Sequence, residues 1–326
     1  MRLLCLSAAD LHDALPMAAA VSVVKQAFAA YSSGRADMPL RTSLSVPEQE
    51  GTTLVMPCYL PDYGLGAKLV SVFPRNRHVL KPAIQGLVVL LDPETGSPMA
   101  LVEGTALTAW RTGAASGAAT DLLANEHVAE AAVIGAGPQA RTQIIAIDAV
   151  RSIERIRVYA RTADPVRALI EQLQPHVSAT LVAASSSSEA VRDVSLVCTA
   201  TSSRTPVLDG GLLAPGTHIN AVGSYTEAMQ EIDVATIREA KVFVDSREAA
   251  EREAGDLLAA VREGATAPRE WTELGQVVTG MAPGRTATED LTLFKSVGLA
   301  VQDIAVAGEA LVRAQQHGLG REIVLA

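Results

Sequence analysis

The glycine-rich segment AAVIGAGPQARTQ, residues 131–143, carries the most specific chemical signature in the chain. Within it, Gly135-x-Gly137-x-x-Ala140 follows an apolar stretch typical of a strand and precedes a stretch typical of a helix. The first glycine permits a tight turn, the second lets the backbone approach a pyrophosphate, and Ala140 is small where helix packs on strand. The alternative is a turn that uses glycine only for its backbone freedom. The strand–helix alternation that follows favours dinucleotide binding, with phosphates at the helix N-terminus.

The end of the next predicted strand indicates which dinucleotide is bound. In IRVYARTAD, Arg161 and Thr162 lie at the strand tip, where NAD-binding proteins usually carry an Asp or Glu for the ribose hydroxyls. Asp164 comes later and is expected to cap the following helix. An arginine can pair with a 2′-phosphate and stack on adenine, and a threonine can donate a hydrogen bond to that phosphate. The tip therefore predicts NADPH, with NADH as the alternative if Arg161 is only a solvated surface residue.

Three basic residues lie where a charge is costly. In GLGAKLVSVF, strand periodicity leaves Lys68 among apolar neighbours on both faces, so its ammonium group needs an anionic partner or a shifted pKa. Arg111 lies in a helix of small residues, and Arg41 lies at a predicted strand start. Each of them alone could serve an internal ion pair. Together they predict a pocket that holds a carboxylate.

The elements that must position these residues fall into two groups. Before Thr105 the chain is rich in strands, including a hairpin that turns at Asp92–Gly96, and shows no βαβ rhythm. After a small-residue helix that begins at Thr105, strands and helices alternate, which predicts a parallel sheet with helices on both faces. The predicted strands are 130–134, 156–160, 179–183, 194–198, 217–222 and 241–245, and the predicted helices are 138–150, 164–174 and 187–192.

A last predicted helix, over about residues 298–317, is long enough to leave the parallel-sheet domain and pack on the first one. The expected fold class is therefore α/β, with a Rossmann-type doubly wound parallel sheet inserted in a discontinuous α+β domain. The expected boundaries are 1–118 with 300–326 for the discontinuous domain, and 119–299 for the inserted one.

Composition and charge exclude several classes of protein. The 326 residues are 48% hydrophobic and carry a net charge of −9, with no basic stretch interleaved with aromatic residues, which argues against nucleic-acid binding. No window approaches the roughly 18 uninterrupted apolar residues of a membrane span. Cys5, Cys58 and Cys198 are far apart and show no metal-ligand spacing, so we expect no metal and a cytoplasmic location. The absence of a GxSxG elbow argues against a hydrolase.

Several segments together resemble the ornithine cyclodeaminase/mu-crystallin family, and in order and spacing they cover nearly the whole chain. The segments are LVMPCYLPDYGLGAKLVSVFPRN, GLVVLLDPETGSPMALVEGTALTAWRTGAASGAAT, AAVIGAGPQARTQ, INAVGSYTEAMQEID and LFKSVGLAVQD. The resemblance implies a substrate-binding and dimerisation domain, completed by the C-terminal helix, and an NAD(P)-binding Rossmann domain. It also implies a homodimer or a higher homo-oligomer.

The resemblance further implies roles for individual residues. Arg41, Lys68 and Arg111 would contact the α-carboxylate of the substrate, with Lys68 also near the reacting carbon or nitrogen. The phosphates of the cofactor would be contacted by Thr112, Gly135, Ala136, Gly137, Pro138 and Gln139. Thr199 and Ala200 would lie along the cofactor, and the nicotinamide side would be approached by Val222, Gly223, Ser224, Lys295 and Ser296.

Two positions depart from the cyclodeaminase pattern. Cyclodeaminases carry a Glu two residues before the Met-Pro pair, where this chain has Leu54. Cyclodeaminases and archaeal-type alanine dehydrogenases carry an Asp in the loop where this chain has Tyr225. Deamination needs a carboxylate that exchanges protons near neutral pH, so the pattern is more similar to the ketimine reductase branch, which includes Δ1-pyrroline-2-carboxylate reductases.

The expected reaction is NAD(P)H-dependent reduction of a C=N bond beside a carboxylate, giving a cyclic amino acid such as proline or pipecolate. A protonated imine accepts hydride without a strong acid, so the site would mainly orient and pair charges. Lys68, Tyr225 or water could supply the proton. The alternatives are an ornithine cyclodeaminase or amino-acid dehydrogenase, and a non-catalytic NADPH-binding protein like mu-crystallin. The expected partners are a small imino or amino acid and a second copy of the chain, with no nucleic acid and no membrane.

Overall fold

The structure is a computed structural model that describes residues 1–325, apart from the side chains of Arg77 and His78. The chain divides into two compact units, Met1–Arg111 with Leu299–Ala326 (unit 1) and Thr112–Gly298 (unit 2). The predicted boundaries differ from these by seven residues at the first junction, 118 against 111, and by one at the last, 300 against 299. Residue 326 of the predicted range lies outside the described residues. The roles assigned to the two domains stay predictions.

Helices and strands follow one another along the chain as follows. The first nine are β1 (Arg2–Leu6), α1 (Ala8–Ala14), α2 (Met17–Ser32), β2 (Thr42–Val46), β3 (Gly51–Leu60), β4 (Gly64–Val72), β5 (Ile84–Leu91), β6 (Pro98–Glu103) and α3 (Gly104–Leu123). The next eight are β7 (Glu130–Ile134), α4 (Pro138–Val150), β8 (Arg155–Tyr159), α5 (Ala163–Leu173), β9 (Thr180–Ala183), α6 (Ser187–Val191), β10 (Leu196–Thr199) and β11 (His218–Ala221). The last nine are α7 (Val234–Glu239), β12 (Lys241–Val244), α8 (Arg247–Glu253), α9 (Gly255–Arg262), β13 (Thr272–Glu273), α10 (Leu274–Val278), β14 (Thr292–Lys295), α11 (Ala300–His317) and β15 (Arg321–Val324).

Unit 1 is built on a seven-stranded sheet in the order β15-β1-β6-β5-β4-β3-β2. Only β1 and β6 pair in parallel, and the other neighbours are antiparallel. The β5–β6 pair is the hairpin predicted from the Asp92–Gly96 turn. The long helix α11 packs on β3, β4 and β5 and against α2, so it covers one face of the sheet.

Helix α3 crosses from unit 1 into unit 2, which accounts for the shifted first boundary. Its first turn is fixed by the Glu103 carboxylate, which accepts hydrogen bonds from the amides of Thr105 (2.9 Å) and Ala106 (2.6 Å). Further along, a Cβ on Gly113 would lie 2.6 Å from the carbonyl oxygen of Thr142 in α4. Helix α3 therefore packs against α4 from Gly113 onward, well before residue 118, because glycine permits this close approach.

Unit 2 is built on an eight-stranded sheet in the order β13-β12-β14-β11-β10-β7-β8-β9, with every neighbouring pair parallel. The strand order reverses direction between β7 and β10, as in doubly wound dinucleotide-binding sheets. The predicted fold class is confirmed. Its core is aliphatic, as the scarcity of aromatic residues requires, and includes Val133, Ile144, Ile156, Val158 and Leu196.

The structure differs from the sequence-based prediction in two local details. Asp164 does not cap the helix after β8, because α5 begins at Ala163 with Thr162 at the N-cap position, and Asp164 in the first turn pairs with Arg167. The sequence pattern also gave no expectation for β14, which lies between β11 and β12 although it comes after both in the chain. Among the described helices, none by itself is long and apolar enough to span a bilayer. Taken together, α1 and α2 have sufficient length and hydropathy, but they meet at an 85° bend.

Candidate functional site

The glycine turn after β7 has the geometry that phosphate binding requires. Gly135 has a φ of +131°, and a Cβ there would lie 2.5 Å from the carbonyl oxygen of Ala200, so only glycine fits. A Cβ on Gly137 would meet no atom within 4 Å, so the backbone there borders open space. Ala140 is fully buried where α4 packs on the sheet. The turn geometry is thus compatible with the three parts that the sequence pattern assigns to these residues, and their contact with a pyrophosphate stays a prediction.

The N-terminus of α4 offers donors at the same place. The helix has Gly137 as its N-cap and Pro138 as its first residue, with no side-chain hydrogen bond at the cap. The amides of Gln139 and Ala140 therefore have no acceptor within the helix, and the positive end of the helix dipole lies there. Open space over Gly137 beside these amides fits the pyrophosphate of a dinucleotide.

Arg161 and Thr162 come one residue after the end of β8, the strand next to β7. Both side chains are exposed at this tip, as the sequence predicts. Neither residue 161 nor residue 162 is a carboxylate that could accept hydrogen bonds from ribose hydroxyls.

The remaining predicted cofactor residues of unit 2 lie at the carboxyl ends of neighbouring strands. Thr199 ends β10 and Ala200 follows it, Val222, Gly223 and Ser224 follow β11, and Lys295 ends β14 with Ser296 next. Thr112, the first residue of unit 2, is buried in α3, and its carbonyl accepts from Gln143. Parallel strands bring their carboxyl ends to one edge of the sheet, where doubly wound folds bind their ligands.

Buried carboxylates hold several of these residues. The Thr199 hydroxyl donates to Glu231 at 2.9 Å, and the Ser296 hydroxyl donates to Asp245 at 2.8 Å. The ammonium nitrogen of Lys295 lies 2.8 Å from Oδ2 of Asp256, and both side chains are 0% exposed. Lys295 is therefore held by an internal ion pair in this structure.

Lys68 and Arg111 lie on either side of one carboxylate in unit 1. The Nζ atom of Lys68 is 2.6 Å from Oδ2 of Asp303, and Nε of Arg111 is 3.0 Å from Oδ1. The exposed fractions of these side chains are 1% for Lys68, 7% for Arg111 and 0% for Asp303. The partner that the buried ammonium group requires is thus Asp303, in the first turn of α11.

Gln302 fixes the same arginine from the neighbouring position. Its Oε1 accepts from Nη1 of Arg111 at 2.8 Å and from the backbone amide of Leu299 at 3.0 Å. Because Leu299 is the N-cap of α11, one side chain both caps the helix and orients the guanidinium group.

The electrostatic balance of this group is positive. The pKa of Lys68 is lowered to about 7, mainly by burial and also by the charges of Arg111 and Arg41, against the opposing effect of Asp303. Arg41, half-buried just before β2, therefore lies close enough to act on Lys68. We call Arg41, Lys68, Arg111 and Asp303 the basic cluster. Two of its cations, Lys68 and Arg111, share one carboxylate, so an anionic ligand would be attracted.

The two positions that depart from the cyclodeaminase pattern carry no carboxylate. Leu54 lies within β3 and Tyr225 follows Ser224 in the loop after β11. Both are partly buried.

The sequence analysis did not identify the buried carboxylates, neither Asp303 beside Lys68 and Arg111 nor those that hold the strand-end residues of unit 2. A buried lysine in a strand demands an anion, and a lone aspartate in the first turn of the apolar helix α11 was a signal for Asp303. Glu231 and Asp256 gave no comparable signal, because they lie in a loop and a short helix without a motif.

A family model described as the ornithine cyclodeaminase/mu-crystallin family matches residues 2–317. The chain belongs to this family. A curated family relative from Bacillus cereus, a Δ(1)-pyrroline-2-carboxylate reductase, is 39% identical over 324 residues, which are 98% of this chain and 99% of the relative. The resemblance seen in the sequence is confirmed.

Two solved structures extend the comparison to the fold. The Thermococcus litoralis Δ(1)-pyrroline-2-carboxylate reductase, in complex with NADH and L-proline, matches with a TM-score of 0.95 and 39% identity, covering 98% of this chain and 100% of that one. An archaeal alanine dehydrogenase dimer with bound NAD matches with a TM-score of 0.92 and 32% identity, covering 100% of each chain. The two reductases are more similar to this chain, at 39% identity, than the alanine dehydrogenase at 32%. This difference favours the predicted reductase over the alternatives.

Proposed function

We propose that the protein reduces a cyclic ketimine carboxylate, Δ1-pyrroline-2-carboxylate or Δ1-piperideine-2-carboxylate, to proline or pipecolate with a nicotinamide cofactor. The chain is an oxidoreductase that acts on C=N and CH–NH bonds. The observation that carries the proposal is the basic cluster, in which the buried cations Lys68 and Arg111 share the carboxylate of Asp303 and Arg41 lies close enough to act on Lys68. The full-length similarity to two reductases of this substrate class supports it.

The substrate's carboxylate is the anion that the basic cluster suits. Arg111 is held in one orientation by Asp303 and Gln302, so it can bind a carboxylate without first becoming ordered. Arg41 adds a second guanidinium group, and planar guanidinium groups match carboxylate geometry. The bound reduced nicotinamide supplies the hydride that the imine carbon receives.

The proton for the imine nitrogen comes from Nζ of Lys68. Its pKa of about 7 lets the ammonium group release a proton near neutral pH, and Asp303 at 2.6 Å holds it in place. The C=N bond then becomes a CH–NH bond, with hydride at carbon and the proton at nitrogen. Lys68 recovers its proton from solvent between turnovers.

Two assays test the function. Purified protein is incubated with either imine and NADPH or NADH, and the loss of reduced-nicotinamide absorbance is followed. We expect oxidation with at least one imine and no ammonia release from ornithine with NAD. The proposal is contradicted if ornithine is turned over while neither imine causes oxidation of NADPH or NADH. Tight cofactor binding without turnover of any substrate would indicate a non-catalytic binding protein.

NADPH is proposed as the preferred cofactor, although the two related structures hold NADH and NAD. Arg161, exposed in the segment after β8 where neither residue 161 nor residue 162 is a carboxylate, supports the preference. We expect Arg161→Asp to lower kcat/KM for NADPH by at least about tenfold relative to NADH, because each lost charge-assisted hydrogen bond is worth roughly 1.5–3 kcal/mol. The exposed Arg167→Asp, further along α5, serves as the control. An unchanged cofactor ratio removes Arg161 from the argument.

A homodimer through the outer face of the unit 1 sheet is also proposed. Large apolar side chains on the face opposite α11 stay exposed: Leu44, Tyr59, Leu69, Leu87 and Met99. Leu69 and Leu87 are cross-strand partners and are 43% and 45% exposed. A contiguous apolar face of this kind marks an interaction surface, and the related alanine dehydrogenase is a dimer.

The dimer is tested by charge on that face. Leu69→Lys with Leu87→Lys is expected to convert the dimer into a monomer in light scattering, because two charges would be buried in each half of the interface. Val312→Lys, at an exposed apolar position on α11, is the control. A wild-type monomer at micromolar concentration contradicts the proposal.

A cytoplasmic location completes the proposal. The cysteines, all within the described residues, form no disulfide. Burial raises the pKa of Cys58 and Cys198 to about 12, so both remain unreactive thiols, as suits a reducing compartment.

A further inference from the structure

Glu231 lies in the loop between β11 and α7, and its side chain is fully buried. Its Oε1 accepts a hydrogen bond from the amide of Thr201 at 2.6 Å. Its Oε2 accepts from the hydroxyl of Thr199 at 2.9 Å and from the amide of Gly223 at 2.7 Å. One carboxylate therefore joins the loop after β10 to the loop after β11.

The three contacts all use the oxygens of this carboxyl group as acceptors. Three donors point at its two oxygens, and an ionised carboxylate is purely an acceptor. The pKa of Glu231 is raised, mainly by burial and also by Asp256, while Lys295 and the hydrogen bonds from Thr201 limit the rise. A glutamine at this position would turn an NH₂ group toward at least one donor.

The backbone of Glu231 is anchored independently of its side chain. Oδ1 of Asp256 accepts from the amides of Glu231 at 2.6 Å and Ile232 at 2.9 Å. Oδ2 of Asp256 pairs with Lys295. The carboxylate of Glu231 is thus presented to the two loops from a fixed main chain.

The loop after β11 packs directly on this carboxylate. A Cβ on Gly223 would lie 2.4 Å from Oε1 of Glu231 and 2.2 Å from the carbonyl oxygen of Thr201. Glycine at position 223 therefore lets the two loops pack closely on Glu231.

A doubly wound sheet binds its dinucleotide in two halves on either side of the strand reversal, which lies here between β7 and β10. The glycine turn after β7 serves the pyrophosphate, and β8 serves the adenosine half. The β10 and β11 loops are on the other side, where the nicotinamide half belongs. We propose that Glu231 is a positioning residue that holds these two loops in the arrangement that receives the nicotinamide riboside of the cofactor. This inference rests on the proposed nicotinamide cofactor.

The experiment compares whole cofactor with a fragment that lacks nicotinamide. Dissociation constants of NADPH and NADH, from their fluorescence, are compared with those of 2′-phospho-ADP-ribose and ADP-ribose, from calorimetry. In Glu231→Gln we expect the whole cofactor to bind about tenfold more weakly, the effect of one lost charged hydrogen bond, with the fragments changed by less than about twofold. The emission maximum of bound reduced cofactor is expected to shift toward that of the free form.

The matched control is Asp148→Asn, because Asp148 also accepts two backbone amides, from Ser178 and Ala179, both at 2.9 Å and near the amino end of β9. Asp148→Asn should leave unchanged the affinity of NADPH relative to 2′-phospho-ADP-ribose and the affinity of NADH relative to ADP-ribose. Glu231→Asp should restore part of the nicotinamide-specific affinity. If Glu231→Gln does not fold, Thr199→Val is used instead, because it removes one of the three donors to Glu231. We expect the same selective weakening of whole-cofactor binding, but a smaller one.

Equal weakening of whole cofactor and fragment overturns the inference, as does no weakening of either. These measurements need no imine, so they stand even if the unaltered protein reduces none of the substrates tested. An unaltered protein that binds neither NADPH nor NADH refutes both the cofactor proposal and the role of Glu231.

Discussion

Replacing Lys68 with methionine is expected to lower kcat/KM for the cyclic imine by about 10²- to 10⁴-fold, the range contributed by a positioned proton donor. Methionine keeps the length and apolar stem of the side chain but removes the proton and the charge. Arg111 continues to neutralise Asp303 at 3.0 Å, so the cluster retains an ion pair and the protein should fold. Cofactor affinity should change little, because the substitution leaves the residues of the glycine turn unaltered.

The pH dependence gives this prediction a second readout. The pKa of Lys68 is lowered to about 7, so its ammonium form is lost as pH rises through that value. In the unaltered protein kcat/KM should therefore fall about tenfold for each pH unit above this pKa, since one proton is involved. In Lys68→Met the limb that belongs to this group should vanish, and any limb that belongs to the free imine should persist.

Lys241→Met is the matched control for Lys68→Met. Lys241 also pairs with an aspartate at 2.6 Å, Asp290, but its side chain is 44% exposed. Its replacement should leave kcat/KM and the pH profile unchanged. If Lys68→Met retains the full rate, Lys68 is not the proton donor. The donor would then be Tyr225 or water, and Lys68 would have only a binding role.

Replacing Asp303 with asparagine is expected to have the largest effect on stability. The substitution leaves the charges of Lys68 and Arg111 buried without their shared carboxylate, and removal of one partner from a buried pair costs about 3–5 kcal/mol. The midpoint of urea unfolding should fall accordingly. The pKa of Lys68 should fall further, because Asp303 is the main influence that raises it, and the alkaline limb of the rate profile should move to lower pH.

A double-mutant cycle separates the pair from the rest of the site. Asp303→Asn combined with Lys68→Met removes one stranded cation, so the double variant should recover part of the lost stability. Glu309→Gln on the same helix, which breaks a partly exposed pair with Arg313 at 2.7 Å, is the control and should cost no more than about 1 kcal/mol. Additive losses in the cycle would show that Lys68 and Asp303 are not energetically coupled.

The sequence predicts the parts of this molecule whose physics is local. Gly135 and Ala140 are specified by a turn and by helix packing within a few residues, and the alternation around them predicts the doubly wound sheet. The capping of α1 by Ser7 and Asp10 is local in the same way. The burial of Lys68 also follows from its strand neighbours, because apolar residues flank it on the face that α11 covers.

The parts that the sequence does not predict depend on long-range pairing. Asp303 meets Lys68 only because α11 lies on β4, and the local signals, a buried strand lysine and a first-turn aspartate, do not identify each other as partners. Strand β14 lies between β11 and β12, an order that periodicity cannot reveal. Glu231 is recognised only after three donors from two loops converge on it.

The order of segments along the chain has a consequence for synthesis on the ribosome. The strands β3, β4 and β5 emerge early, yet the helix that covers them, α11, emerges only after all of unit 2. Until then the nascent sheet exposes an apolar face, and the ammonium group of Lys68 has no counter-ion. Contacts that span such a long stretch of sequence form slowly, and uncovered sheets of this kind are prone to aggregate. Unit 2 can complete its own sheet first, so the nascent chain should depend on chaperones mainly for the interval between β6 and α11.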